Sequence, residues 1–115
     1  MKKINILKHN RDFNRIIKKN KSFKFNDFII YIERDTNDLY KFGISISKKI
    51  GNAVVRNKLK RQIKNIIDKK RYENSFNCII ILRKGIITKS FNEIRDDLYI
   101  ALKKINILKE EHEKE

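Results

Sequence analysis

The sequence predicts an α+β domain, a small, mainly antiparallel sheet with helices packed on it. Three observations lead there. Dense apolar runs of strand length occupy 28–32 and 78–82. Helical periodicity occupies other stretches, and the two patterns mix without regular strand–helix alternation. The chain has 115 residues, room for one core only, because domains cluster at roughly 100–150 residues and either half alone would be marginal. We therefore expect a single domain over residues 1–108, with a polar tail over 109–115.

Residues 4–20 are expected to form the first helix. Phe13, Ile16 and Ile17 fall at i, i+3 and i+4. Asn10 is placed to cap it, and Asn20 to close it in the left-handed region. Residues 22–33 read as extended: Phe23 and Phe25 alternate, Asn26-Asp27 marks a bend, and a β-branched and aromatic run follows. Residues 34–38 are a turn by composition. In strand 39–47, Tyr40, Phe42, Ile44 and Ile46 point one way and Lys41, Gly43, Ser45 and Ser47 the other. The first set meets a core, and the small residues leave the second face open to approach.

Residues 48–52 form a basic loop, in which Gly51 allows a positive φ and close backbone approach. Residues 53–71 make the strongest helix, and 76–83 a fully apolar strand. Strand 39–47, helix 53–71 and strand 76–83 are placed to form one crossover unit. In the last helix, 90–108, Ser90 and Glu93 have the spacing of a capping box. Phe91, Ile94, Leu98, Ala101, Leu102 and Ile105 line its buried side. Phe23, Phe25, Phe28, Phe42 and Phe91 are assigned to the core, and Asp27, Asp35 and Asp38 to turns.

Composition excludes several classes. Cys78 is the single cysteine, so there is no internal disulfide and no multi-cysteine zinc site; its apolar run marks it as a small buried hydrophobe. No apolar stretch reaches the ~18 residues of a membrane span, and the basic start lacks the apolar region of a signal peptide. A cytoplasmic location is expected. No metal-ligand spacing and no Ser-His-Asp set is visible, so no catalytic residue is assigned to the chain.

Charge gives the positive signal. Lysine and arginine number 29 against 14 acidic residues, a net +15. No acidic residue occurs between Leu39 and Asp68. At 100° per residue from Arg56, Lys60 lies at about 40°, Lys64 at about 80°, Asn57 at about 100° and Arg61 at about 140°, with Lys58 further round. Val55, Leu59, Ile63 and Ile66 fill the apolar arc. A helix face kept for solubility interleaves glutamate; this one repels itself until a polyanion neutralises it. A membrane-surface helix is the weaker reading, because so small a domain needs the apolar arc for its sheet. Lys48, Lys49 and Asn52, just before the helix N-terminus, extend the basic surface toward phosphate.

The run Ser47-Lys48-Lys49-Ile50-Gly51-Asn52-Ala53-Val54-Val55-Arg56-Asn57-Lys58-Leu59-Lys60-Arg61 closely resembles the signature of the bacterial ribonuclease P protein subunit, K-x-x-G-x-A-V-x-R-N-R-x-K-R. The resemblance reaches to about Ile107. It implies a ribosomal S5 domain 2-like fold with a left-handed βαβ crossover. It implies two partners, the catalytic RNA subunit and precursor tRNA, with no obligatory protein partner and no membrane. By resemblance, Arg56, Asn57, Lys58, Lys60, Arg61 and Lys64 face RNA. Phe13 and Tyr31, with Ser45 beside them, frame a cleft for the single-stranded 5′ leader, where aromatic rings stack on unpaired bases. Cleavage would use Mg²⁺ held mainly by the RNA partner. This chain departs at Lys58, which keeps charge but not the planar fork of arginine. It also departs at Ile17, where the family usually has a second aromatic, and at Asn20, where many members have glycine. A ribosomal or ribosome-assembly protein shares the charge and size but not the signature.

Overall fold

The computed structural model describes residues 1–34 and 38–109. Its elements run α1 (Asn10–Lys19), β1 (Ser22–Phe25), β2 (Phe28–Arg34), β3 (Tyr40–Ile46), α2 (Ala53–Asp68), β4 (Phe76–Leu82) and α3 (Phe91–Lys104). Short 3-10 turns occupy Lys3–Asn5 and Lys84–Thr88. The second of these went unread in the sequence. The expected turn at 34–38 and tail at 109–115 fall largely outside the described residues.

The strands form one sheet in the order β1-β2-β4-β3. β1–β2 and β2–β4 are antiparallel, and β3–β4 is parallel. A parallel neighbour needs a crossover, which α2 supplies. The two-residue β1–β2 turn is possible because Asn26 takes φ 49°, a region asparagine tolerates.

The main core lies between one sheet face and the helices α2 and α3. Phe28, Ile30, Phe42, Phe76, Cys78, Ile80 and Leu82 meet Leu59, Ile63, Ile66, Ile67, Ile94, Leu98, Ala101 and Leu102, all buried. Each leucine, isoleucine and phenylalanine of the set contributes roughly 1.5–3 kcal/mol. Burial also pushes the Cys78 thiol well up, so it stays a protonated core group. The C-terminal end of α2 is tied down by Tyr72, whose hydroxyl donates to the Ile67 carbonyl (2.6 Å), and Tyr99, which donates to the Ile66 carbonyl (3.1 Å). The capping box is present as expected: Glu93 N donates to Ser90 Oγ and Ser90 N to Glu93 Oε1. Lys89 bridges Asp27 (2.8 Å) and Asp97 (3.0 Å), joining the hairpin turn to α3.

The opposite sheet face carries a smaller cluster, Leu7, Ile16 and Ile79, beneath α1. Here several expectations need correction. Residues 4–9 are not helical. Ile6 pairs with Phe42 beside β3, and Leu7 N donates to the Phe42 carbonyl (2.8 Å). The free sheet edge captures that segment, and α1 starts only after His9, with Asn10 inside it. Asn20 is extended (φ −123°) because β1 begins almost at once; its side-chain NH₂ satisfies the Ile16 carbonyl instead (2.8 Å). Phe91 opens α3 at the surface, 37 % exposed, and Val55 is exposed to the same degree. Gly51 has no positive φ; its need is space, since a methyl group there would meet Val55 Cγ1 at 2.8 Å.

Candidate nucleic-acid interface

β3 is an edge strand, with α1 over one face of the sheet and α2 over the other. The N-terminal segment covers this edge as far as Phe42: Asn5 Nδ2 donates to the Tyr40 carbonyl (2.8 Å) and Ile6 pairs with Phe42. Beyond that point the edge opens into a groove of about 640 Å³ between the two helices. Ile44, Ser45 and Ile46 form its floor, and Phe13 and Ile17 its α1 wall. Arg56, Asn57, Lys60 and Lys64 form the α2 wall. Their 4-residue and 3-residue spacings place them on one helical stripe. The result is one cationic wall facing a mixed wall in which Phe13 and Ile17 alternate with Asn10 and Asn14. Arg56 Nε is buried and has no acceptor among the described residues, a donor left unsatisfied at a cost.

The other cations of the basic segment lie elsewhere. Lys58 and Arg61 are exposed on α2 but do not line the groove. Lys48 and Lys49 are exposed in the preceding turn. Asn52 is the N-cap of α2: its Oδ1 accepts from Val55 N (3.0 Å), so that oxygen is already engaged. The sequence-derived RNA surface thus divides into a groove wall and an outward face.

The position of α1 is set by a polar tie. Arg15 Nη2 and Nε donate to the two carboxylate oxygens of Glu33 on β2 (3.0 and 3.2 Å), and Arg15 Nη1 to Asp12 (2.6 Å). Glu33 Oε1 also accepts from Asn77 Nδ2 on β4 (2.9 Å), a side chain buried under the helix. The guanidinium, hydrogen-bonded to both carboxylates, holds Glu33 and Asp12 below the usual carboxylate range.

Phe13 and Ser45 meet in the groove, as the sequence reading places them. Tyr31 does not line it. Tyr31 pairs across the sheet with Ile79, which pairs with Gly43, so β4 separates it from β3. Its ring packs on the Leu7–Ile16–Ile79 cluster of the same face. The sequence reading missed Lys8, Asn10 and Asn14 as lining residues. Asn10, Phe13, Asn14 and Ile17 stand at i, i+3, i+4 and i+7, so a mixed polar and apolar stripe was there to be read. Among the described residues no three His, Cys, Asp or Glu groups converge as a metal-binding set, and no helix is long and apolar enough to cross a membrane.

The fold and site define a class: a small α+β domain with a four-stranded mixed sheet and a groove at its sheet edge that carries a cationic helix wall. Within that class, the chain belongs to the ribonuclease P protein family: residues 1–106 match the family described as Ribonuclease P. The ribonuclease P protein component of Streptococcus pyogenes is 36 % identical over 116 residues, covering 100 % of this chain and 98 % of that protein. The Staphylococcus aureus RNase P protein structure superposes with a TM-score of 0.81 at 34 % identity, covering 93 % of this chain and 100 % of that one. That of Thermotoga maritima gives 0.78 at 30 % identity, covering 87 % and 96 %. Membership makes the chain a subunit of ribonuclease P, an endoribonuclease assembly of tRNA processing.

Proposed function

We propose that the chain binds the catalytic RNA subunit of ribonuclease P and receives the 5′ leader of precursor tRNA in the α1–α2 groove. The single observation that carries the leader reading is the pairing of walls. Arg56, Lys60 and Lys64 face Phe13 and Ile17 across a channel floored by Ser45. Phosphates meet the cations while unpaired bases meet the ring, a mode with little sequence selectivity. The outward cations Lys48, Lys49, Lys58 and Arg61 are left to contact the RNA subunit. Asn57 sits in the cationic wall, where its amide can bond a base edge or a phosphate oxygen. Tyr31 would extend the leader track along the sheet face beyond the groove.

In this reading the protein raises substrate affinity and screens phosphate repulsion. Hydrolysis would take place on the RNA subunit, which would hold most of the Mg²⁺. The test compares precursor and mature tRNA binding to a holoenzyme rebuilt from this protein and an RNA subunit. Precursor should bind more tightly, and Phe13→Ala should reduce that preference by roughly tenfold, the scale of one lost base stack. Tyr31→Ala reports separately whether the track runs past the groove. Equal affinity of the wild-type holoenzyme for both tRNAs would remove the leader from the groove.

A further inference from the structure

We propose that Gly43 is a positioning residue for the groove: its missing side chain seats the tip of the Phe13 ring on the sheet. The inference rests on the leader reading above. Gly43 lies in the middle of β3, buried, on the face beneath α1. A methyl group built there would come 2.9 Å from Phe13 Cε1 and 3.1 Å from Cε2, and closer still to Cζ. Optimal carbon–carbon separations are about 3.5–4.0 Å, so alanine and this ring position are incompatible. The order of the three atoms shows that the ring stands tip-down.

Gly43 needs no positive φ, so backbone conformation does not explain the glycine. The ring has few other places to go. Leu7, Ile16 and Ile79 fill the space under the helix. The helix itself cannot lift freely, because Arg15 and Glu33 hold it to β2 through two hydrogen bonds. A methyl group at position 43 would therefore drive the ring sideways into the groove and narrow it.

The readout is the ratio of precursor to mature tRNA affinity in the rebuilt holoenzyme, which a general loss of stability would not change selectively. Gly43→Ala should cut that ratio about tenfold while leaving mature tRNA affinity within about twofold. Phe13→Tyr approaches the same contact from the ring side without touching the strand, and should do the same. It also decides the matter if Gly43→Ala fails to give a cooperative thermal melt. Phe13→Leu removes the ring tip, so Gly43→Ala placed in that background should cost nothing further; coupled residues give such non-additive effects. An unchanged ratio in the folded Gly43→Ala and Phe13→Tyr variants, or losses that simply multiply, overturns the seat and leaves the leader reading intact. A wild-type holoenzyme without leader preference overturns both.

Discussion

The sheet face under α2 and α3 and the face under α1 share the same four strands, yet they are held together by different means. On the first, aromatic and aliphatic side chains from every strand but β1 are fully buried against two helices. On the second, the buried apolar set is three residues, Leu7, Ile16 and Ile79, supplemented by the Arg15–Glu33–Asn77 tie. Apolar burial is non-directional and tolerates no gap. A polar tie fixes direction while covering little area. The lesson is a separation of duties: one face secures the fold, which frees the other to leave a channel open beside a single precisely placed ring.

The largest effect should come from opening the sealed face. Phe76 is fully buried and rings with Tyr40, Phe42 and Tyr72. Phe76→Ala should cost about 3–5 kcal/mol in urea denaturation; a loss under about 1 kcal/mol would mean that the two faces do not differ in the way described. Next comes the open face. Arg56→Gln with Lys60→Gln should weaken RNA affinity by tenfold or more and lower the slope of log K against log salt by between about one and two. The melting temperature should stay within about 2 °C, because neither side chain is in an ion pair among the described residues. An unchanged slope would move the RNA surface away from the α2 wall.

The smallest effect concerns the tie. Glu33 is held below its ordinary carboxylate range, first by hydrogen bonding to Arg15. A carboxylate lowered on folding stabilises fully above its unfolded pKa, and that stability is lost as pH falls through the folded value. Wild type should therefore lose more thermal stability than Glu33→Gln between about pH 5 and about pH 3, and the two should converge at the acidic end. At neutral pH, Glu33→Gln should lower the melting temperature by a few degrees. Parallel pH curves would show that the tie does not hold α1.

The legible parts of the fold were those that a local pattern decides. The run 78–82 could only be a buried strand, the Ser90/Glu93 spacing specified a helix start, and Leu59, Ile63 and Ile66 marked the buried arc of α2. Residues 4–9 defeated the pattern because Ile6 and Leu7 satisfy a strand edge as readily as a helix stripe, and only β3 decides between them. Phe91 is a large ring that nothing local forces inward. In the groove, the α2 wall was readable because charge and periodicity lie in one segment. Lys8, Asn10 and Asn14 were not, since their facing α2 depends on where α1 docks. Gly43 reads as a merely small residue until the ring above it is seen.

The open edge of β3 has a second consequence, for self-association. Unpaired strand edges recruit strands from other molecules, and soluble proteins guard them with charge, brevity or cover. At the other edge, β1 is four residues long and carries Lys24. At β3 the guard is the segment 5–7 as far as Phe42 and the like-charged row Arg56, Lys60 and Lys64 along the remainder. A second copy brings the same row and is repelled. Salt that screens this repulsion lowers the barrier to edge-to-edge pairing, so ionic conditions that would strip a polyanion from the proposed site also leave the groove floor least defended.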